Sequence, residues 1–399
     1  MRVYLDYNAT TPVDSAVVEA MVPCFSQNFG NAGSIHSEGQ RARAAVDAAR
    51  ESVAALLGAK ASEIVFTSGG TEADNLAIFG TVSGVGAKSG DGAGDQKRPR
   101  HVITTAIEHH AVLHTCEELE RRGLDITYVR VGSSGVVDPD DIRRALRPET
   151  VLITVMHANN ELGTIQPIEE IARIAKEADV YLHCDAVQSA GKIRVDVNQM
   201  GVDFLSISGH KIYGPKGVGA LYVRSGAELE RQFRGGHAER DRRPGTENVP
   251  GIVGLGKAAE LARELLAEDA ARIGALRDRL EKETLEKIPG VRVNGDPRRR
   301  VPNTASLTFS GAGGEALLIA LDLQGVACST GAACSSGSVE PSHVLMAIGL
   351  SADEARSTLR LSVGRPTIAE EIDSASRVLR AAVERLRALS PRPVSAVSA

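Results

Sequence analysis

The chain has 399 residues, of which 42% are hydrophobic and 24% are charged, and its formal net charge at pH 7 is −5. This length and composition are typical of a globular protein with a large core and two domains. The negative net charge gives no electrostatic basis for direct binding to nucleic acid or to an anionic membrane surface. No apolar run approaches the roughly 20 residues that a transmembrane helix needs.

Cysteine usage and the N-terminal residues predict a cytoplasmic protein. The number of cysteines is odd, and no two of them have C-x-x-C spacing. In a chain of this size, that pattern argues against a disulfide framework and favours a reducing compartment. The first residues become acidic at Asp6, which is too early for a secretory signal peptide. The cysteines are Cys24, Cys116, Cys184, Cys328 and Cys334.

The first sixty residues predict a short strand, a polar turn and a long helix. The strand and turn lie within residues 3–12, and residues 29–34 have the composition of a loop. Apolar residues at helical spacing, including Val46 and Val53, predict a helix over 37–57. Gly58 is placed to cap the C-terminus of this helix.

From residue 63 onward, short apolar strands alternate with polar loops and helices. The predicted strands are 63–67, 101–105, 126–131, 151–156, 180–184 and 202–207. The predicted helices begin at 73 and cover 110–122, 138–146 and 168–178. Continuous apolar strands that alternate with helices predict a parallel sheet covered by helices on both faces.

The pattern is interrupted between Gly80 and Arg100, where the composition predicts a mobile surface loop. Residues 86–89 faintly suggest a phosphate loop, but Val82 and Ala87 stand where that motif needs glycine, so we reject it. After residue 250, helices over 250–287, 315–323 and 370–389 and strands over 301–309 and 358–363 predict a second, smaller α+β domain. The residues from Pro391 onward are predicted to be disordered.

A lysine with the properties of a nucleophile follows the apolar run that ends at Ile207. Lys211 lies beside His210 in a glycine-rich stretch. A lysine at such a strand end can be desolvated, which lowers its pKa and allows it to form a Schiff base with pyridoxal phosphate (PLP). The alternative is a surface lysine in a glycine-rich turn.

Residues 68–72 lie between a predicted strand and a predicted helix. Backbone N–H groups and the helix dipole at such a junction form a site for an anion such as phosphate. The alternative is that Thr71 and Asp74 form only a capping box, and taken alone this segment favours that alternative.

Polar residues at three other strand ends suit a planar cofactor. Asp185, with Gln188 after it, ends a strand, and a carboxylate there can pair with a protonated pyridine nitrogen. The alternative for Asp185 is an N-cap. Asn160 can hydrogen-bond a ring substituent or form part of a turn, and His109 can stack on a ring or exchange protons. All these residues lie at the carboxyl ends of predicted strands, where open α/β sheets bind ligands.

The histidines next to this region do not predict a metal site. His110 and His114 are four residues apart on a predicted helix, a spacing that places two imidazoles on one face. No third ligand is evident in the sequence. We therefore predict that the chain has no bound metal.

Two further residues are suited to bind or to react with an amino-acid substrate. Residues 325–337 are small and polar, so Cys334 is expected to be exposed and able to move, whereas Cys184 lies in an apolar run. Arg360 alternates with Leu359 and Leu361, so it points to the opposite face of its strand. There it can clamp a carboxylate with two hydrogen bonds or form a structural ion pair.

With these residues assembled, the chain resembles the cysteine desulfurases, PLP enzymes of the aspartate-aminotransferase fold. The resemblance runs from residues 4–12 to Arg360, and its most specific motif is Ser208-Gly209-His210-Lys211-Ile212-Tyr213-Gly214-Pro215-Lys216-Gly217. It implies fold type I, with a mainly parallel seven-stranded sheet in a large domain over 15–255. Residues 1–14 and 256–399 would form a smaller α+β domain that carries the catalytic-cysteine loop and the substrate arginine.

The resemblance also implies the roles of individual residues. Lys211 would bind the cofactor as a Schiff base and, with Cys334 and His109, carry out catalysis. Substrate contacts are implied for Asn8, Asn160 and Arg360. Cofactor contacts are implied for Gly70, Thr71, His109, Asn160, Asp185, Gln188, Ser208, His210, Lys211 and Thr246.

The implied reaction converts L-cysteine to L-alanine and leaves a persulfide on Cys334, in the loop of the long-loop subgroup. The acceptor of that sulfur would be an iron–sulfur scaffold, a tRNA-thiolation protein or a nitrogenase-assembly protein. Residues 243–246 resemble a segment that reaches a phosphate in the opposite subunit, which implies a homodimer. The alternatives are a selenocysteine lyase or an aminotransferase on the same fold, and a non-catalytic PLP-binding adapter.

The sequence departs from the family pattern at two places. The insertion between Gly80 and Arg100 is longer than expected for the family. The C-terminal residues 390–399 do not match the longer tail with which housekeeping iron–sulfur assembly enzymes bind their scaffold. The identity of the sulfur acceptor therefore stays open.

Overall fold

The computed structural model of the protein describes residues 1–84, 100–330 and 340–389. The strands in these residues are β1 (Val3–Tyr4), β2 (Ile64–Thr67), β3 (His101–Thr105), β4 (Asp125–Val129), β5 (Thr150–Thr154), β6 (Tyr181–Asp185), β7 (Phe204–Ser208), β8 (Gly219–Val223), β9 (Val291–Val293), β10 (Thr304–Phe309), β11 (Val326–Ala327), β12 (Ser329–Thr330) and β13 (Thr358–Ser362). The helices are α1 (Ser15–Met21), α2 (Pro23–Ser26), α3 (Ser37–Leu57), α4 (Gly70–Gly84), α5 (His110–Arg121), α6 (Pro139–Ala145), α7 (Ile168–Glu177), α8 (Val197–Met200), α9 (Val249–Glu264), α10 (Leu266–Lys287), α11 (Gly314–Leu323), α12 (His343–Ala347), α13 (Ala352–Arg356) and α14 (Ala369–Leu389). None of these helices combines the length and apolar character needed to cross a membrane.

The main sheet has seven strands in the order β2-β8-β7-β6-β5-β3-β4. β3 to β7 form parallel pairs along this order, and only β8 runs antiparallel to its neighbours β2 and β7. Several strands, including β3, β7 and β8, are buried along their whole length, as expected for strands covered on both faces. The predicted α/β fold with a mainly parallel seven-stranded sheet is confirmed. β8 is an additional strand that the sequence analysis did not predict.

A second hydrophobic core lies around a smaller sheet. β12, β13, β10 and β9 form a four-stranded antiparallel sheet, and β1 pairs with β11. Val3 and Leu5 pack in this core with residues from 273 to 383, whereas the largest core draws on residues 17 to 262. This separation supports the proposal of a large domain over 15–255 and a small domain formed by 1–14 and 256–399.

The bounds of the predicted helices agree with the structure at some ends and differ at others. α3 covers the predicted residues, and Gly58 caps it with a φ of 67°. The long helical pattern after residue 250 is two helices, α9 and α10, that meet at Leu265. α4 begins three residues before its predicted start and continues to Gly84, into the predicted loop. The rest of that loop, 85–99, and the C-terminal residues 390–399 lie outside the described residues.

A buried ion pair anchors the segment that precedes residues 243–246. Arg50 and Glu239 form a bidentate pair with both N–O distances at 2.7 Å, and each side chain is 4% exposed. The Phe66 N–H also donates to Glu239, at 2.9 Å. Residues 239–241 all have left-handed backbone angles, with φ between 48° and 63°. Each such residue costs about 1–2 kcal/mol, so the ion pair has to stabilise this turn.

We expect Glu239→Gln to lower the free energy of unfolding by about 3 kcal/mol, because it leaves the Arg50 cation buried without a counter-charge. Urea unfolding of both proteins measures this difference. The matched control is Glu177→Gln, since Glu177 pairs with Arg143 at 2.7 Å on the surface, where both side chains are more than half exposed. Such exposed pairs contribute about 0–1 kcal/mol. Equal losses in the two variants would contradict the structural role of the buried pair.

Candidate active site

A pocket of about 380 Å³ lies at the carboxyl ends of the main-sheet strands. A volume of this size suits a cofactor or a drug-sized ligand. The predicted cofactor and substrate residues line this pocket, with the exception of Thr246. They are Asn8, Gly70, Thr71, His109, Asn160, Asp185, Gln188, Ser208, His210, Lys211 and Arg360. The predicted catalytic Cys334 lies outside the described residues.

Lys211 is held at the pocket wall by the N-terminal segment. It ends a short 3₁₀ turn, Gly209–Lys211, which follows β7 directly. The Lys211 Nζ donates hydrogen bonds to the carbonyl oxygens of Asn8 and Ala9, at 2.6 and 2.7 Å. The turn itself is tied to the same segment, because the Thr11 N–H and hydroxyl both donate to the His210 carbonyl at 3.0 Å. Lys211 is therefore part of a built site and not an isolated surface lysine.

One end of the pocket has the geometry of a phosphate site. α4 begins at Gly70, where a Cβ would lie 2.7 Å from Val187 Cγ2, so only glycine lets the helix start this close to the turn after β6. The Ser208 side chain lies next to Gly69 and Gly70. The first N–H groups of a helix have no partner within it, and the dipole there favours an anion. Thr71, in the first turn of α4, is exposed toward this end.

The alternative capping role of Asp74 is wrong. Asp74 is 1% exposed, and its carboxylate points inward, 3.5 Å from His183 Nε2. At the start of α4, the Ser68 N–H instead donates to Glu72 Oε2 at 2.8 Å. The sequence motif T-x-x-D at residues 71–74 identifies a helix start, but it does not show whether its carboxylate faces the core.

Asp185 ends β6 on the pocket wall. Its Oδ1 accepts a hydrogen bond from the Val187 N–H at 2.9 Å. Burial raises the pKa of Asp185 to about 6, and the Val187 N–H and the Lys211 cation partly offset this effect. A cation placed against this carboxylate is stabilised by the buried charge, which is the requirement of a protonated pyridine nitrogen.

Two buried acids near Asp185 were not predicted as site residues. Glu108 is fully buried, and it accepts hydrogen bonds from the Met156 N–H at 2.9 Å and the Thr105 hydroxyl at 2.6 Å. Burial raises the pKa of Glu108 to about 8, and burial followed by the Asp185 charge raises that of Asp74 well above its usual value. Asp185 therefore ionises more readily than Glu108. A carboxylate next to an apolar strand end is the sequence signal for such a group.

His109 caps the N-terminus of α5 and lines the pocket. Its Nδ1 accepts a hydrogen bond from the Ala111 N–H at 3.1 Å, so the proton of the neutral ring lies on Nε2. Burial, followed by the Lys211 charge, lowers the pKa of His109 to about 4. Its ring is therefore neutral at physiological pH. This state suits stacking on a cofactor ring and donation of a hydrogen bond from Nε2.

The adjacent histidines form a stack. The rings of His110 and His114 lie parallel with their centroids 4.7 Å apart, and His343 packs against His110 at 4.9 Å. The described residues contain no group of three or more His, Cys, Asp or Glu side chains that is placed to hold a metal ion.

Arg360 combines the two roles that its position in β13 left open. It forms an ion pair with Asp6 at 2.9 Å and donates to the Asn160 carbonyl at 3.2 Å. Its side chain is only 3% exposed, yet it lines the pocket. Its Nε has no hydrogen-bond acceptor among the described residues. Asp6 thus orients a guanidinium on the pocket wall, where it is suited to an anionic ligand.

Thr246 and Cys328 do not line the pocket. Thr246 is exposed, and in the same segment Arg243 pairs with Glu72 at 2.8 Å, close to the start of α4. Cys328 packs against the core of the smaller sheet, and burial raises its pKa to about 12. Cys328 is therefore a protonated thiol at neutral pH.

The residues present fit PLP in three respects. The start of α4 with Ser208 suits the phosphate, the buried carboxylate of Asp185 suits the ring nitrogen, and the amine of Lys211 suits the aldehyde. At the phosphate end, a Cβ on Gly70 would collide with Val187, so the close approach of the helix start to this turn requires glycine.

Comparison with known proteins agrees with this fit. The sequence model described as Aminotransferase class-V matches residues 3–374. The chain is 48% identical over 390 residues to the protein named cysteine desulfurase IscS of Dictyoglomus turgidum, covering 98% of this chain and 96% of the relative.

Two solved structures are also similar. The structure titled "NIFS-LIKE PROTEIN" has a TM-score of 0.89 at 37% identity, covering 96% of this chain and all of the other. The structure titled "SspA in complex with cysteine" has a TM-score of 0.79 at 40% identity, covering 92% of this chain and all of the other. The chain therefore belongs to the class V aminotransferase family and, within it, to the PLP-dependent cysteine desulfurases.

Proposed function

We propose that this protein converts L-cysteine to L-alanine and retains the sulfur as a persulfide on Cys334. The observation that carries the proposal is the convergence of Lys211, Asp185 and Arg360 on one pocket. These residues supply an amine, a buried carboxylate and an anion-binding guanidinium, the groups that PLP chemistry on an amino acid requires. The near full-length similarity to cysteine desulfurases supports the choice of substrate.

Binding and proton removal are assigned to the described residues. Arg360 binds the substrate carboxylate, because it lines the pocket and its guanidinium is oriented by Asp6. The Lys211 amine takes the proton from the substrate Cα as general base. Asp185 holds a proton at the ring nitrogen. When bound, the cofactor supplies an electron sink for the charge that develops at Cα.

Sulfur transfer is assigned to Cys334. Its thiolate attacks the substrate sulfur, so that an S–S bond forms and the bond between Cβ and sulfur breaks. The electron pair of the broken bond stays on the carbon, which takes up a proton and becomes the methyl group of alanine. His109, neutral and protonated on Nε2, is the proposed proton shuttle for these steps.

The assembly, compartment and acceptor are further parts of the proposal. We assign a homodimer in which Thr246 reaches the phosphate of the opposite subunit, supported by its exposure and by the fact that it does not line the pocket of its own chain. A cytoplasmic location is supported by the four described cysteines, which are all free. The acceptor is a protein of iron–sulfur assembly or tRNA thiolation.

Incubation of the PLP-loaded protein with L-cysteine and a thiol reductant is expected to yield sulfide and alanine in equal amounts. A selenocysteine lyase would act on L-selenocysteine and leave L-cysteine intact. An aminotransferase would form a keto acid and stop without an amino acceptor, and a PLP-binding adapter would form no product. Sulfide and alanine assays on the same sample therefore separate a cysteine desulfurase from the other three functions.

A further inference from the structure

Lys192 is a lysine of the pocket wall that the proposed mechanism does not use. It follows β6 in the same turn as Asp185 and Gln188. Gly191, directly before it, has a φ of 71°, and a Cβ there would lie 2.8 Å from Ile212 Cγ2. The position before Lys192 thus requires glycine. This turn directs the lysine toward the interior instead of toward solvent.

The Lys192 amine donates hydrogen bonds to two side-chain amides. Its Nζ lies 2.6 Å from Gln188 Oε1 and 3.1 Å from Asn8 Oδ1. Each of these contacts is made by an amide oxygen, so each NH2 group points away from Lys192. Accordingly, Gln188 Nε2 donates to the Asn8 carbonyl at 3.0 Å, and Asn8 Nδ2 donates to the Asn160 carbonyl at 3.0 Å.

The surroundings of this amine are unfavourable for a charge. Lys192 forms no ion pair with any described residue, and its acceptors are neutral. Burial of the amine lowers its pKa well below the usual value, and the nearby cations Lys211 and Arg360 lower it further. Lys192 and Lys211 also line one small cavity of about 20 Å³, which leaves part of the Lys192 surface open although the amine lies deep. An apolar residue would cost less here, so stability alone does not explain the lysine.

We propose that Lys192 is a positioning residue that keeps the N–H group of Gln188, and not its oxygen, directed at the cofactor ring oxygen. Gln188 lines the cofactor pocket beside Asp185. The inference rests on the proposed function in one respect, namely that the nitrogen of the cofactor ring lies against the Asp185 carboxylate. An N–H donor stabilises negative charge on a ring oxygen, whereas an amide oxygen in its place would repel it. The flipped amide would lose the 2.6 Å hydrogen bond from Lys192 Nζ and would place its oxygen against the Asn8 carbonyl, so Lys192 favours the first orientation.

The pH titration of the absorbance of the bound cofactor tests this role in the substrate-free holoenzyme. The negative charge on the cofactor ring oxygen raises the pKa of the Lys211 nitrogen. A hydrogen bond from the Gln188 N–H group to that oxygen lowers this pKa again. We expect Lys192→Met, which keeps the chain length and removes the donors, to raise the titration midpoint by about one unit, a tenfold change. We expect Lys192→Arg to leave the midpoint near that of the parent protein, because a guanidinium also has donors only.

A double-mutant cycle separates this role from a direct charge effect. In a Gln188→Leu background, Lys192→Met should cause no further shift if Lys192 acts through the Gln188 amide. Additive shifts, equal shifts in the methionine and arginine variants, or no shift in either would overturn the proposal. If the methionine variant does not retain PLP, Lys192→Leu, which also lacks donors, takes its place in the cycle, and the same outcomes support or overturn the proposal.

Two further comparisons do not depend on this double-mutant cycle. Lys282→Met changes a lysine whose side chain is 75% exposed on α10 and should leave the midpoint unchanged. If the parent protein binds PLP but forms no sulfide from L-cysteine, the proposed function fails while the titration still tests Lys192. If sulfide forms normally and the midpoints do not respond, only the role of Lys192 is wrong.

Discussion

Cys334→Ala is expected to lower sulfide formation from L-cysteine by more than about a thousandfold, because the residue that forms the new sulfur bond is lost. Binding of L-cysteine should persist, since it depends on Arg360 and Lys211, so the substrate should still change the absorbance of the bound cofactor. Sulfide assay, absorbance spectra and mass spectrometry of the parent protein measure these effects. After cysteine treatment, the parent protein should carry one added sulfur on the peptide that contains Cys334.

Cys328→Ala is the matched control for this experiment. Cys328 lies six positions earlier in the chain, and burial raises its pKa to about 12, so almost none of it is thiolate at neutral pH. We expect only a modest loss of activity in this variant. Added sulfur on Cys328, or normal turnover by Cys334→Ala, would show that the assigned nucleophile is wrong.

Lys211→Ala is expected to abolish covalent attachment of the cofactor and to lower the turnover rate by at least about a hundredfold. The loss in rate follows from removal of the general base, whose contribution is typically 10²–10⁴-fold. Borohydride reduction followed by peptide mapping measures the attachment. In the parent protein, the cofactor should be found on the peptide that contains Lys211.

The control for Lys211 comes from the same glycine-rich segment. Lys216 is exposed and does not line the pocket, so Lys216→Ala should keep the borohydride-stable cofactor and most of the activity. A cofactor trapped on Lys216, or full activity of Lys211→Ala, would contradict the assignment.

Short motifs were sufficient to predict most of the candidate site. Lys211, Asp185, His109 and Gly70 each lie within a few residues of a strand end, where a continuous apolar run stops and polar residues begin. Because strand ends of a mainly parallel sheet meet along one edge, their convergence on one pocket follows from local patterns. The structure agrees, since all four line the same pocket.

Other features depend on contacts between distant parts of the chain. The capping role considered for Asp74 was wrong because its burial depends on His183, more than a hundred residues away. β8 runs antiparallel between β2 and β7, and no local pattern specifies those partners. The spacing of apolar residues predicts which face of each element is buried, but not which other elements pack against that face.

By itself, the sequence determined the α/β alternation, the glycine cap of α3 and the cofactor-lysine motif, since each depends on residues close together in the chain. Only the tertiary structure decided the environment of the chemical groups. Asn8 and Gln188 are 180 positions apart and share a hydrogen bond, and Arg360 is paired with Asp6, 354 positions away. The pKa of a buried group and the orientation of an amide are set by such neighbours, because burial and hydrogen-bond geometry arise only when distant segments pack together.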